Sequence, residues 1–348
     1  MLRHFSITQQ GARHIKKGIP CQDYSASKTI HLEQLDLELI LAAVADGVGA
    51  MEYSQFGSEA AVCAFMDYVE SNLTTLSGEL SDDNVFFMLQ RAFQHALSEV
   101  EKVAAEREIP IPEFDTTLTG VVYDGTNLWF GHIGDDGIVG LFADGKCMML
   151  TKRHKGEEAN SVFPLRETSL WQFGKTDKPV VSCVLMTDGV LDHCVDCEAM
   201  NNRVYYPFLE PALANAAETD EEIELLRLDW AGFLSGEEGY PEDFREQVTD
   251  DISFVVVQNP IAIKQLPEIH FDSEKWDQDT ARRKKELNEA LYTDYRAYKQ
   301  GAFVGRKDCI LDMLKNTFDT LLTDDNDEEK SDTLPNEKNE DEEDSPDK

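Results

Sequence analysis

Short apolar runs of strand length that stop on an aspartate and a glycine recur along this chain, and they leave few folds open. Residues 37–45, LELILAAVA, end at Asp46-Gly47; the run at 179–187, PVVSCVLMT, ends at Asp188-Gly189; ISFVVV starts directly after Asp250-Asp251. A short apolar run bounded by turn residues reads as a buried strand. The glycine lets the backbone turn away sharply, which leaves the aspartate carboxylate at the rim of the sheet. Helical periods alternate with these runs. Val62, Phe65, Met66 and Val69 recur at i, i+3, i+4 and i+7, one face of a 3.6-residue repeat. From about Asp82 to Glu106 a second apolar stripe runs through Val85, Met88, Leu89, Ala92, Phe93, Ala96, Leu97, Val100 and Val103, with Ser81 placed to cap it. Four more strands are expected at 117–123, 127–133, 137–142 and 147–151. Asp124-Gly125, Asp135-Asp136-Gly137 and Asp144-Gly145 separate them, the chemistry of antiparallel hairpin turns.

The remainder is less regular. Residues 200–247 read as a mostly helical insertion, and 273–322 as two helices. One carries Leu287, Ala290, Leu291, Tyr295 and Tyr298, the other Leu311, Leu314, Phe318 and Leu321. From Thr323 to the last residue, thirteen acidic residues face three lysines, a composition too polar to offset its ordering entropy, so 323–348 are expected to be disordered.

A formal charge of -36 repels a phosphate backbone and excludes nucleic acid as a partner. No run approaches the ~20 apolar residues of a membrane helix, and MLRHFSITQQ lacks the apolar stretch of a signal peptide. A soluble, cytoplasmic protein with no membrane partner is expected. Seven cysteines, irregularly spaced and odd in number, predict reduced thiols rather than a disulfide framework. His193, Cys194 and Cys197 form one small cluster without the second ligand pair of a structural zinc site.

Asp46 and Asp188 converge if their strands are neighbours, and Asp23 in CQDY and Asp250 before the last strand can reach the same rim. Clustered carboxylates raise one another's pKa unless a cation compensates them, and a hard divalent ion suits an all-oxygen site. An isolated Asp-Gly is ordinarily just a turn. Here, however, GIPCQDYS, VADGVGA followed by SQFGSEAA, DTTLTGVV, HIGDDGIVG, LMTDGVLD and DDISFVVV stand in an order that resembles the metal-dependent PPM (type 2C) protein phosphatases across about residues 8–257.

That resemblance implies an α+β fold, a central antiparallel β-sandwich flanked by helices (αββα), with its metals in a cleft at one end. It implies a phosphatase domain over 1–260, followed by a helical extension over 261–322 and the acidic tail over 323–348. By motif, Asp23, Asp46, Asp188 and Asp250 surround two Mn2+ or Mg2+ ions, with the Gly47 carbonyl as a further ligand and Asp46, Asp188 and Asp250 as the catalytic set. Asp135 and Asp192 match the motifs of a third ion. Asp251 takes the place of a usual asparagine. The activity implied is hydrolysis of phosphoserine and phosphothreonine in proteins, by in-line attack of a water shared between two metals.

The chain also departs from the pattern. Gly18 stands in the register of a phosphate-holding arginine, so His14 and Lys17, with Lys16 nearby, are the candidates for that role. Gln22 replaces a usual glutamate, and Val48 a histidine proposed as general acid, which leaves His132 and His154 as alternative donors. KGEEANSVFPL, 155–165, resembles a bacterial branch of the family that accompanies a protein kinase, so a cognate serine/threonine kinase joins the phosphoprotein substrate as an expected partner. The basic block Arg282-Arg283-Lys284-Lys285 reads first as a solvated helix face. Two other functions compete: a catalytically weak phosphoprotein-binding or regulatory module of the same fold, and a hydrolase of small phosphoesters.

Overall fold

The structure, a computed structural model, describes residues 1–75, 80–154, 162–196, 201–236 and 248–299. Its strands form two five-stranded sheets. In one, β1 (Arg3–Gln9), β10 (Ile252–Gln258), β9 (Val180–Met186), β6 (Gly137–Phe142) and β7 (Cys147–Met149) lie side by side in that order. In the other the order is β2 (Tyr24–Leu32), β3 (Leu37–Ala45), β4 (Leu118–Tyr123), β5 (Leu128–Ile133) and β8 (Gln172–Lys175). Every neighbouring pair is antiparallel.

LELILAAVA has no polar face because both of its faces are covered. Leu39, Leu41, Ala43 and Ala45 pack toward α2 (Ser54–Thr74) and α3 (Asp82–Glu106), whereas Ile40, Ala42 and Val44 meet the opposite sheet. β10 behaves likewise. Ile252, Phe254 and Val256 face α4 (Asp188–Cys194), α5 (Tyr206–Leu213) and α6 (Asp220–Ser235), and Val255 and Val257 face the other sheet. At roughly 1.5–3 kcal/mol for each fully buried aliphatic side chain, these three apolar layers hold the molecule in the expected helix–sheet–sheet–helix order. Ser81 caps α3 as its sequence predicts, accepting from the Asn84 N–H at 3.3 Å. A capping box, Thr219 with Glu222, starts α6.

One expected turn is something else. Asp124-Gly125 and Asp144-Gly145 do close hairpins, β4–β5 and β6–β7. Asp135-Asp136, by contrast, joins β5 of one sheet to β6 of the other, so this segment is a corner of the sandwich. The strand β1 and the short α1 (Ala12–Lys17) also fall where composition gives little sign of them.

Residues 1–156 and 160–289 make up one compact unit. Of the second unit, only the end of α7 (Ser273–Lys299) is among the described residues. The second C-terminal helix, the acidic tail, Cys197, Cys309 and residues 237–247 lie outside them. Among the described residues, no helix is long and apolar enough to cross a membrane.

Candidate active site

Strand register alone brings distant acids to one rim of the sandwich. Tyr24 pairs with Ala45, so Asp23 enters β2 where Asp46 leaves β3. Leu118 pairs with Ile133, which puts Thr117 opposite the Gly134–Asp136 corner. Met186 pairs with both Gly137 and Phe254, which sets Thr187 and Asp188 between that corner and the start of β10.

Hydrogen bonds then fix the loops. The Asp46 N–H donates to Thr117 Oγ1 at 2.7 Å, and the Thr117 N–H returns to the Asp46 carbonyl at 2.8 Å. The Gly47 N–H donates to the Gln22 carbonyl at 3.0 Å, and that of Val48 to the Asp115 carbonyl at 2.9 Å. Thr187 Oγ1 donates to Asp23 Oδ2 at 2.7 Å while accepting from the Ser253 N–H at 2.8 Å, which ties β9, β10 and the CQDY segment together. At Gly189 the backbone comes so close to the Asp251 carbonyl oxygen that a Cβ would sit 2.1 Å from it. This glycine is required for close approach rather than for a turn.

The carboxylates held this way are mutually repulsive, Asp23, Asp135 and Asp136 buried and Asp46 half-buried. Burial is the main cause that pushes Asp23 well above the usual carboxylate range, and the charges on Asp251 and Asp188 add to it. Asp46 is raised by burial and then by Asp23, Asp188, Asp135 and Asp136. Asp136, fully buried, is raised in the same way although Thr117 Oγ1 donates to its Oδ2 at 2.5 Å. Its other oxygen, Oδ1, is buried with no partner among the described residues. Asp46, Asp135 and Asp136 present carboxylate oxygens within 4.8 Å of one another. An orphaned buried oxygen among oxygens that raise one another's pKa is what a hard divalent cation satisfies, so the donor set fits Mg2+ or Mn2+.

The other expected residues are placed as follows. Asp188 opens α4 beside Asp23 and Asp46, with the Gly47 backbone in the same loop cluster. Asp250 lies at the edge of that cluster, 41% exposed, its Oδ2 accepting from Arg13 Nη2 at 2.9 Å. The charge of its neighbour, Asp251, is the one that acts on Asp23. The Asp251 carboxylate accepts from the Gly11 N–H at 2.7 Å, the Gln22 N–H at 2.5 Å and His14 Nδ1 at 2.8 Å. His14 is therefore buried in a structural contact, and Lys17 is exposed at the end of α1. Asp192 is paired with Arg153. His132 is fully buried in β5, where burial and then the charge of His154 bring its pKa down to about 3. Its Nε2 faces the Lys152 carbonyl at 3.1 Å, so that nitrogen carries the proton and holds it there. The Cys194 thiol is buried under α4 against Met186.

Two residues escaped the sequence reading. Asp136 was hidden behind Asp135, and the doubled acid before a wholly apolar strand was its signal. Arg13 was passed over because counting back from Asp23 ends at Gly18; α1 folds the chain so that the Arg13 guanidinium stands over the Gly47–Gly49 loop, with Nη2 3.9 Å from where a Cβ on Gly49 would be.

A sequence model of the protein phosphatase 2C family matches residues 10–228. Among solved structures, a point variant of a bacterial serine phosphatase superposes with a TM-score of 0.50 at 13% identity, covering 74% of this chain and 98% of that one. The serine/threonine phosphatase Stp1 from Staphylococcus aureus follows at 0.49 and 12%, covering 74% and 95%. The catalytic domain of the serine/threonine phosphatase PstP, solved in complex with 2 manganese ions, gives 0.46 and 18%, covering 74% and 97%. At such identities the likeness is one of fold. No curated protein sequence matches.

Proposed function

The chain belongs to the protein phosphatase 2C family, also called PPM, and on that premise we propose that it hydrolyses phosphoserine and phosphothreonine in proteins with the help of divalent metal. The observation that carries this reading is the acid cluster of buried Asp23 and Asp136 with half-buried Asp46, in which Asp136 Oδ1 has no partner among the described residues. Two ions, Mn2+ or Mg2+, would be held by Asp23, Asp46, Asp188, Asp250 and the Gly47 carbonyl, with Asp135 and Asp136 alongside. When bound, such a pair supplies an acidified water as nucleophile and neutralises phosphate oxygens.

The chain's own residues do the rest. Thr187 and Thr117 hold Asp23 and Asp136 in place by donating to one carboxylate oxygen each, so the other oxygen of each faces the cluster. Arg13, whose guanidinium lies at the rim beside Asp250, is the group for the substrate phosphate, since a guanidinium can donate to two phosphate oxygens in the bidentate geometry that arginine favours. His14, His132 and His154 are all engaged by neighbouring groups, so the leaving alkoxide takes its proton from water. A phosphoprotein, with a cognate serine/threonine kinase as its source, is the partner this chemistry implies.

The test is phosphate release from a phosphothreonine peptide and from p-nitrophenyl phosphate, with Mn2+, with Mg2+ and with EDTA. Turnover that needs the metal and is lost in Asp46→Ala and Asp188→Ala, both still folded, supports the reading. Full turnover in either variant refutes it, and peptide binding without turnover would favour a regulatory module.

A further inference from the structure

By the family resemblance Asp135 and Asp192 match the residues of a third ion, but in this chain a different cation already sits between the Asp135 backbone and the Asp192 carboxylate. Arg153 follows β7, and its guanidinium is almost wholly buried, 6% exposed. Its Nε donates to the Asp135 carbonyl at 2.8 Å, and its Nη1 forms an ion pair with Asp192 Oδ1. The Asp135 side chain next to that carbonyl belongs to the cluster with Asp46 and Asp136. The guanidinium thus bridges the sheet-crossing corner and α4, one residue from the metal-binding carboxylates. Its Nη2 is buried with no acceptor among the described residues.

We propose that Arg153 is a built-in replacement for the third metal ion, so that this phosphatase takes up two divalent ions and no third. The inference rests on the two-metal reading above and goes beyond it. An arginine keeps its charge at every working pH, so a divalent ion reaching Asp192 would meet a fixed positive charge and have to break a buried ion pair. The same guanidinium fixes the Asp135 backbone through its Nε, which a diffusible ion cannot do. Arg153 is a positioning residue in this account: it orients the corner that carries Asp135 and Asp136, and it supplies a permanent positive charge beside them.

The experiment counts ions. Mn2+ uptake by the full chain is measured by titration calorimetry and by the loss of free-Mn2+ paramagnetic signal, for wild type, Arg153→Ala, Arg153→Lys and Asp192→Asn, with folding checked by circular dichroism. Wild type is expected to bind two ions, and Arg153→Ala to gain a third of weaker affinity at the exposed acids. Arg153→Lys keeps the charge and stays at two. Asp192→Asn is expected to lower the melting temperature, because it strips the partner from a buried guanidinium, while leaving the ion count at two. Three ions in the wild type, or a lost ion in Asp192→Asn, overturns the inference even where Arg153→Ala does not fold. A folded Arg153→Ala that still binds two ions overturns it as well. No ion uptake by the wild type would overturn the two-metal reading and this inference together, a result distinct from the other three.

Discussion

Replacing Asp251 tests the frame of the site separately from its chemistry. The carboxylate is buried and accepts three hydrogen bonds, from the Gly11 N–H at 2.7 Å, the Gln22 N–H at 2.5 Å and His14 Nδ1 at 2.8 Å. These tie the start of β10 to α1 and to the segment that carries Asp23. Asp251→Ala leaves three donors buried and unmet. A hydrogen bond to a charged acceptor contributes about 1.5–3 kcal/mol, and such losses around one group add incompletely, so the cost is about 3–5 kcal/mol. Asp251→Asn is the informative control. Its Oδ1 can keep the Gly11 N–H, and His14 can move its proton to Nε2, toward Asp250 3.8 Å away, so that Nδ1 accepts from the new amide. Only the Gln22 N–H is then orphaned, at a cost of about 1–3 kcal/mol. Urea unfolding at constant m-value reads both numbers. An alanine variant within about 0.5 kcal/mol of wild type, or an asparagine variant as unstable as the alanine one, would refute the reasoning.

Three further outcomes are expected. Gly189→Ala places a Cβ 2.1 Å from the Asp251 carbonyl oxygen, so it should cost about 1–3 kcal/mol in thermal or urea unfolding and reduce turnover by shifting Asp188. Arg13→Ala should raise KM for a phosphothreonine peptide about tenfold with a smaller change in kcat, and an unchanged KM would remove Arg13 from phosphate binding. The metal-free protein should lose stability as pH rises. Asp23, Asp46 and Asp136 have folded pKa values above the unfolded 3.8, so the native state holds protons that the unfolded chain releases, and the stabilisation present below that value disappears as pH climbs through the folded ones. Urea midpoints should therefore fall as pH rises above the unfolded value of 3.8 in EDTA, and Mn2+ should reverse the fall; a flat profile, or one indifferent to Mn2+, would contradict this.

The sandwich was largely legible because its strands are buried on both faces and stand out as unbroken apolar runs: β3, β9 and β10 begin and end within a residue or so of where LELILAAVA, PVVSCVLMT and ISFVVV do. β1 and β2 were not, since RHFSITQ and YSASKTIHL mix polar and apolar residues, as edge strands with solvent-facing positions do. α1 was missed for a related reason. Six residues with a single buried side chain carry no period, and yet that turn is what delivers Arg13 to the rim.

The two acid doublets mark where sequence reading stops at this site. Adjacent residues within a strand point to opposite sides, but at a strand end or a corner two neighbouring aspartates can diverge or converge, and nothing in the letters says which. In Asp250-Asp251 the inward member is Asp251, and three donors turn it into a clamp, leaving the outward Asp250 with Arg13. In Asp135-Asp136 both members are buried and both reach Asp46, and at Asp136 a threonine satisfies one oxygen and leaves the other unmet among the described residues. The two acids thus differ in how the donors within reach are distributed over their oxygens. Three donors engage both oxygens of Asp251, whereas at Asp136 the contacts from Thr117 at 2.5 Å and Thr119 at 3.4 Å fall on one oxygen and orient the carboxylate without engaging the other. That distribution depends on the segments the fold sets opposite each acid, Gly11–Gln22 in one case and Thr117 in the other, which are far away in the chain.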